Sequence, residues 1–237
     1  MLPVLSKIFE RAMATRLVKF LEGNNLLTES QHGFRKNRST ESAILQFVSN
    51  VYNCLEQKLY SAGIFWDLSK AFDSLNHKIL LTKLENVGVR GVPRQIFSSY
   101  ISNRSQFFFF FCNSTTSNHK QITKGVPQGS ILGPILFWVH INDIVHASSK
   151  FKFVIYADDT NLLIAEKSLK SLHKNLTSEL LLINQWMKAN KLMLNITKTN
   201  YILFQNRSLK HEIPPVKLNE NLIHKVSHTI FFWHSHR

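Results

Sequence analysis

The sequence predicts an α+β protein in which a mostly antiparallel sheet is backed by helices. Apolar residues recur at helical spacing in several long segments of the 237-residue chain. Short apolar runs bounded by turn residues lie between these segments and have the length of strands. Two of the runs follow each other directly as a hairpin, which pairs strands in antiparallel fashion. The order of the predicted helices and strands therefore suggests an α+β fold whose sheet is covered by helices on one face.

The first half of the chain predicts mainly helices around one strand. Gly23 follows the first helical pattern and can end it, while Ser39 and Thr40 offer side-chain oxygens that can cap the second. Glycine and proline at 88–93 break the pattern before a short helix. The predicted elements are a helix at 5–21, a helix at 43–59, a strand at 61–66, a turn and helix at 68–84, and a helix at 94–102.

The second half predicts strands and two further helices. Residues 107–111 are five consecutive phenylalanines, and a run that is apolar on both faces indicates a strand buried on both faces. A glycine-rich loop at 124–130 follows. The remaining predicted elements are a helix from Pro134 to about 145, strands at 151–156 and 160–165, a helix at 169–192 and a strand at 198–204.

The chain is strongly basic, with a formal net charge of +14. Such an excess suits nucleic acid or an anionic membrane surface, although charge alone is equally compatible with a role in solubility. Cys54 and Cys112 match no zinc spacing and are expected to be reduced thiols. No apolar run is long enough to span a membrane and no secretory signal is recognisable, which predicts an intracellular protein of the nucleus or cytoplasm.

The distribution of aspartates is the main chemical signal. The five are Asp67, Asp73, Asp143, Asp158 and Asp159. Asp67 ends a predicted strand, and Asp158 and Asp159 occupy a predicted hairpin turn, so all three converge if the strands are neighbours. Clustered carboxylates repel one another and favour a bound cation, and Mg²⁺ prefers such oxygen ligands. Asp143 is interpreted as a structural helix cap, whereas Asp73 belongs to the same sequence block as Asp67 and could also cap a helix.

Several sequence blocks, in order along the chain, carry a resemblance to a known family. The chain resembles the reverse transcriptase domain of a non-LTR (LINE-type) retrotransposon, of the lineages with a Tyr-Ala-Asp-Asp box. The matching blocks are Leu-Pro-Val-Leu-Ser-Lys-Ile-Phe-Glu at 2–10, the basic segment at 31–40, Phe-Trp-Asp-Leu-Ser-Lys-Ala-Phe-Asp at 65–73, Gly-Val-Pro-Gln-Gly-Ser at 125–130 with its continuation to Pro134, Ile-Asn-Asp at 141–143, Tyr-Ala-Asp-Asp-Thr at 156–160, and Leu-Asn at 194–195 with Lys-Thr at 198–199.

The resemblance implies the right-hand polymerase architecture of fingers and palm, with helices backing an antiparallel palm sheet and the thumb absent or truncated. It assigns residues 1–60 to partial fingers. Residues 61–204 would form the palm, with a fingers insertion around 85–122. Residues 205–237 would begin a primer-grip and thumb region that is degenerate and truncated.

The resemblance also implies an RNA-directed DNA polymerase that extends a DNA primer on an RNA template with dNTPs. Asp67, Asp158 and Asp159 would be catalytic ligands for two Mg²⁺ ions, with Mn²⁺ as a substitute. Lys198 matches a lysine near the pyrophosphate leaving group and is a candidate general acid, with a solvated surface lysine as the alternative. The backbone carbonyl of Leu68 would help to coordinate metal.

Other matched residues would contact the substrates. Phe72, five residues after Asp67, occupies the position of an aromatic steric gate that selects deoxyribose, although a phenylalanine here could equally belong to the core. Gln128 and Gly129 would lie against the incoming nucleotide and its template base.

Three basic residues, Arg35, Lys36 and Arg38, would form a fingers loop that touches template or phosphate. Arg35 and Arg38 have salt bridges to surface acids as their alternative role. A second hypothesis for the whole chain is an inactive retroelement remnant that binds nucleic acid only weakly. Neither hypothesis involves a membrane.

Overall fold

Helices and strands alternate irregularly along the residues that the computed structural model describes, which are 4–102, 104–106, 109–110, 115–116, 118, 120–127, 129–205, 213–218 and 220–229. The helices are α1 (Val4–Gly23), α2 (Thr40–Glu56), α3 (Ala71–Ser74), α4 (His77–Asn86), α5 (Gly91–Ile101), α6 (Gly133–Ile141) and α7 (Leu169–Ala189), with a 3-10 helix at Asn142–Ala147. The strands are β1 (Tyr60–Trp66), β2 (Arg104–Gln106), β3 (Phe109–Phe110), β4 (Thr115–Thr116), β5 (Lys120–Ile122), β6 (Lys152–Tyr156), β7 (Asp159–Glu166), β8 (Asn200–Phe204), β9 (Val216–Leu218) and β10 (Asn221–Lys225).

A six-stranded sheet in the order β6-β7-β1-β8-β10-β9 is the main feature. Its strands pair in antiparallel fashion except for β8 and β10, which run parallel. The helices α2 and α7 both contact β1 and β7. The prediction of an α+β fold with a mostly antiparallel sheet backed by helices is therefore confirmed.

Two short two-stranded sheets accompany the main one, β2 with β5 and β3 with β4. The second of them contains Phe109 and Phe110 from the phenylalanine run. Phe107, Phe108 and Phe111 lie outside the described residues, so the prediction of a strand buried on both faces stays a prediction.

The chain divides into two compact units. The first contains Met1–Leu26 and Phe72–His140, and the second contains Leu27–Ala71 and Ile141–Arg237. The whole six-stranded sheet, with α2 and α7, belongs to the second unit. The three aspartates that the sequence groups together, Asp67, Asp158 and Asp159, also fall in this unit.

The core of the second unit is built around Phe47 of α2, which is 2 % exposed. Its ring lies 5.6 Å from that of Phe65 and 6.4 Å from that of Phe204, measured between centroids. Gly63 provides the room for this packing, because a Cβ there would lie 2.8 Å from the Phe47 ring. Ser39 caps α2 in a reciprocal capping box with Ser42, as the sequence predicts for this position.

The first unit contains a buried carboxylate, Glu10 of α1, which is 0 % exposed. It accepts hydrogen bonds from the Ile131 N–H at 2.7 Å and from the Tyr100 hydroxyl at 2.9 Å. Burial raises the pKa of Tyr100 to about 12, so this hydroxyl keeps its proton and stays a donor. The carboxylate thus joins α1 to α5 and to the segment that leads into α6.

Candidate active site

Strand register brings the three aspartates to one end of the sheet. Trp66 of β1 pairs with Thr160 of β7, so Asp67 and Asp159 flank the last pair of this ladder on neighbouring strands. Tyr156 pairs with Asp159 across the β6–β7 hairpin, which leaves Ala157 and Asp158 as its two-residue loop. Ala157 has a φ of 56°, the left-handed conformation that tight two-residue hairpins favour.

The backbone around Asp67 is held by a distant segment of the same unit. The Asp67 N–H donates to the Thr199 hydroxyl at 3.3 Å, and its carbonyl accepts from the Asn195 N–H at 2.9 Å. The Ser69 N–H donates to the Met193 carbonyl at 2.9 Å. This bridge pairs Leu68 with Leu194 without using the Leu68 carbonyl.

Thr199 and Asn195 hold the backbone at Asp67, and the sequence assigned no role to either residue. The Thr199 hydroxyl donates to the Asn195 carbonyl at 2.9 Å while it accepts from Asp67, so it connects the two segments directly. Both residues fall within a matched block. Their hydrogen-bonding side chains were the feature of the sequence from which a structural role could have been predicted. The same turn carries Lys198, whose N–H donates to the Asn195 carbonyl at 3.2 Å.

The carboxylates interact electrostatically. Burial, and then the negative charges of Asp158 and Asp67, raise the pKa of Asp159 from 3.8 to about 7, against a smaller opposing effect of Lys198. A carboxyl group in this position holds its proton close to neutral pH, first because burial disfavours its charged form and then because the neighbouring carboxylates repel that charge. Asp67, Asp158 and Lys198 are therefore all close enough to Asp159 to influence its charge.

The raised pKa of Asp159 predicts a pH dependence of stability in the absence of divalent cation. Between about pH 4 and pH 7 the unfolded chain has lost this proton while the folded chain retains it, so the free energy of unfolding falls as pH rises through that window. Urea denaturation at pH 5 and pH 8 should show this loss in the wild type. Asp159→Asn should reduce the loss, and an equal pH difference in both proteins would contradict the prediction.

The donor set has the chemistry of a site for a hard divalent cation, although it is not assembled as a closed site. Among the described residues, no three His, Cys, Asp or Glu side chains are arranged to hold a metal ion. The carboxylate oxygens of Asp67, Asp158 and Asp159 nevertheless match the ligands that Mg²⁺ takes, and a bound cation would offset the repulsion that Asp158 and Asp67 exert on the Asp159 carboxylate. The residues present therefore fit a divalent cation in charge and ligand type.

The basic segment of the second unit is partly engaged by protein groups. Arg35 donates to the Thr28 carbonyl at 3.1 Å, and Arg38 donates to the Glu29 carbonyl at 2.6 Å. The Glu29 carboxylate also forms ion pairs with both guanidinium groups. Lys36 is exposed. The structure thus shows the salt bridges that the sequence left open as an alternative.

The remaining candidate residues lie in the first unit. The Phe72 ring packs 5.1 Å from that of Phe137, and the Phe72 carbonyl accepts from the Val126 N–H at 3.1 Å. Gly125 lies directly against α3, because a Cβ there would approach the Asp73 carbonyl oxygen to 2.9 Å. The glycine-rich loop and the α3 segment are therefore packed together.

The same loop continues through a turn at Gly129. The Ser130 N–H donates to the Pro127 carbonyl at 3.1 Å, and Gly129 has a φ of 73°, which a type II turn requires at its third position. Gln128 lies outside the described residues. The Ser130 hydroxyl then accepts from the Gly133 N–H at 2.8 Å, at the start of α6.

Comparison with protein families shows which family the chain belongs to. The family model described as reverse transcriptase (RNA-dependent DNA polymerase) matches residues 1–228. The chain belongs to the reverse transcriptase family. Together with the relatives described next, this match confirms the resemblance to the polymerases of non-LTR retrotransposons.

Reverse transcriptases of insect mobile elements are among its relatives. The chain is 31 % identical to the RNA-directed DNA polymerase from mobile element jockey of Drosophila melanogaster, over 94 % of this chain and 25 % of the relative. It is 28 % identical to the probable RNA-directed DNA polymerase from transposon X-element of the same fly, over 91 % of this chain and 24 % of the relative. The chain thus spans about a quarter of the length of these curated relatives.

Among solved structures, this reverse transcriptase chain is similar in fold to part of the telomerase chain. Telomerase from Candida tropicalis, in complex with a fragment of telomeric RNA, matches with a TM-score of 0.59 at 16 % identity, over 86 % of this chain and 34 % of that one. Telomerase from Candida albicans matches with a TM-score of 0.56 at 15 % identity, over 87 % of this chain and 36 % of that one. Within the described part of the chain, no helix combines the length and apolarity needed to cross a membrane.

Proposed function

We propose that this chain is the catalytic core of an RNA-directed DNA polymerase, which adds dNTPs to a DNA primer on an RNA template. The observation that carries the proposal is the strand register that places Asp67, Asp158 and Asp159 together at the end of β1 and the β6–β7 hairpin, where the charges of Asp158 and Asp67 act on Asp159. Such a cluster is costly unless a cation binds it, and nucleotidyl transfer depends mainly on charge and positioning. The family membership of the chain supports the same chemistry.

In this proposal Asp67, Asp158 and Asp159 hold two Mg²⁺ ions, or Mn²⁺ in their place, together with the Leu68 carbonyl. When bound, such ions activate the attacking hydroxyl and stabilise the leaving oxygen. Lys198 interacts with Asp159 from the Asn195–Thr199 turn, and we assign to its ammonium the donation of a proton to the departing pyrophosphate.

We further propose how the chain contacts its substrates. Gln128 and Gly129 lie against the incoming nucleotide and the template base, where glycine allows close backbone approach. Lys36 is exposed, and we assign to it a contact with template phosphate. We assign Arg35 and Arg38 to the same surface, in addition to their ion pairs with Glu29. In this proposal the partial fingers comprise residues 1–60. The palm comprises residues 61–204, with its insertion around 85–122, and the start of the primer-grip and thumb region comprises residues 205–237.

Primer extension tests the proposed function. The purified chain is given an RNA template, an annealed DNA primer, dNTPs and Mg²⁺, and product length is followed with time. Synthesis that requires Mg²⁺ and is lost in Asp158→Asn supports the proposal. If the chain binds the primer-template in a salt-dependent way but extends no primer, the alternative of a nucleic-acid-binding remnant replaces it.

The gate assignment of Phe72 predicts a change in sugar selectivity. Phe72→Val removes the ring that would meet a ribose 2′-hydroxyl, so the ratio of kcat/KM for dNTP over NTP should fall by about 10-fold or more, the size of effect that steric fit in a pocket provides. Phe9→Val, at an exposed position of α1 in the same unit, is the matched control. Unchanged selectivity in Phe72→Val would refute the assignment.

A further inference from the structure

A short segment at 30–33 lies along the free edge of β6, directly before the hairpin loop that carries Asp158. The His32 N–H donates to the Ile155 carbonyl at 2.7 Å, and the Ile155 N–H donates to the Ser30 carbonyl at 2.8 Å. Gln31 therefore pairs with Ile155 in a parallel bridge. Since β6 is the outermost strand on its side of the sheet, this segment covers an edge that would otherwise expose unpaired backbone groups.

Contacts with α2 and within the segment fix its position. His32 is 4 % exposed, and its ring nitrogens contact the Ser42 hydroxyl at 2.8 Å and the Gln46 side-chain oxygen. Gln31 is 1 % exposed, and its side-chain oxygen accepts from the Gly33 N–H at 3.2 Å. The segment is therefore anchored on both sides and cannot move away from β6 without breaking buried hydrogen bonds.

Gly33 is the point at which the segment meets the hairpin loop. A Cβ at this position would lie 2.3 Å from the backbone nitrogen of Ala157, 3.1 Å from its Cα and 3.2 Å from the carbonyl carbon of Tyr156. These are backbone atoms, so no rotation of a side chain relieves the overlap. The loop occupies this place only because residue 33 has no side chain, and Asp158 is the next residue of that loop.

We propose that Gly33 is a positioning residue for Asp158. Because residue 33 has no side chain, the 30–33 segment packs directly against the backbone of the Ala157–Asp158 loop and holds it in place. The proposal rests on the proposed function, since it concerns the metal-binding competence of the same carboxylate. Any side chain at 33 displaces the loop backbone and moves the Asp158 carboxylate away from Asp67 and Asp159. Gly33 does not itself touch substrate or metal.

Mn²⁺ binding tests the proposal without depending on catalysis. The dissociation constant is measured from the paramagnetic signal of free Mn²⁺ for the wild-type chain, Gly33→Ala, Gly23→Ala and Asp158→Asn. Gly23→Ala is the matched control, since a Cβ there meets nothing within 4 Å. Gly33→Ala is expected to weaken Mn²⁺ binding by about 10- to 100-fold, as replacement of residues that orient metal ligands does, while Gly23→Ala binds like the wild type.

Further measurements separate positioning from general destabilisation. In Gly33→Ala the amide resonances of Ala157 and Asp158 should shift while those of α7 stay in place, and kcat for primer extension should fall with little change in KM for the primer-template. If Gly33→Ala does not fold, His32→Gln replaces it, because that change loosens the anchor to α2 without adding atoms beside Ala157. We expect His32→Gln to weaken Mn²⁺ binding in the same direction.

The outcomes distinguish this proposal from the proposed function. Wild-type Mn²⁺ binding that depends on Asp158 but is unchanged in Gly33→Ala, or in its replacement His32→Gln, overturns the positioning role alone. A wild-type chain that binds no Mn²⁺ through Asp158 overturns the proposed function and the positioning role with it.

Discussion

Asp158→Asn is expected to reduce RNA-templated DNA synthesis at least about 100-fold, the loss typical when one preorganised electrostatic group is removed from a reaction centre. Asparagine keeps the size of the side chain in the β6–β7 loop and leaves the hairpin intact. What it removes is one of the negative charges that act on Asp159. Since the proposed function has divalent cations held here through carboxylate charge, affinity for Mg²⁺ should fall together with kcat.

The control for this change is Glu56→Gln, which removes one negative charge at an exposed position near the end of α2 in the same unit. Both variants alter net charge equally, so their binding to primer-template should respond alike at a fixed salt concentration. Primer-extension rates in single turnover, measured across a Mg²⁺ titration, distinguish a slower chemical step from weaker binding of the primer-template. If the Asp158→Asn chain extends primers at the wild-type rate, Asp158 has no role in the reaction.

The second large effect concerns stability. Phe47→Ala should lower the free energy of unfolding by about 3–5 kcal/mol, the usual cost of removing a buried aromatic ring. Phe47 is 2 % exposed and its ring contacts those of Phe65 and Phe204 on β1 and β8. The Phe47 ring packs directly against Gly63, which has no side chain to fill the space that the ring would leave.

Urea denaturation measures this loss as a shift of the midpoint at unchanged slope. The neighbouring residue provides the control: Val48 is 54 % exposed on the same helix, so Val48→Ala should change the free energy of unfolding by about 0.5 kcal/mol or less. Equal losses in the two variants would show that the core of the second unit does not depend on the Phe47 ring. A loss confined to Phe47→Ala would establish this packing as a main support of β1, the strand that ends at Asp67.

Local chemistry made much of the fold predictable. Ser39 reveals the start of α2 because its hydroxyl satisfies backbone donors three residues away. The two apolar runs around Asp158 indicate β6 and β7 because a hairpin needs no information from elsewhere in the chain. Between 68 and 84 the prediction of a turn and one helix was too simple, since Asn76 caps a separate helix, α4, by accepting from the Ile79 N–H at 3.2 Å.

The supports of the candidate site were less predictable, because they act between segments that are distant in sequence. Nothing near Asp67 indicates that its N–H pairs with the hydroxyl of Thr199. Likewise, the requirement for glycine at 33 arises from the backbone of Ala157, more than a hundred residues later. Family resemblance marked both blocks as significant, but the physical reason for each residue became visible only from the packing.

The hydrogen bond between Asp67 and Thr199 joins positions separated by 132 residues. During synthesis on the ribosome, strand β1 emerges long before the turn that fixes the backbone at its end. The backbone at Asp67 is therefore fixed only after synthesis has reached Thr199, directly before β8. Contacts of such long range slow folding, because the intervening chain must be closed into a loop before they form. A nascent chain that stops before Thr199 carries all three aspartates without the turn that would anchor the first of them.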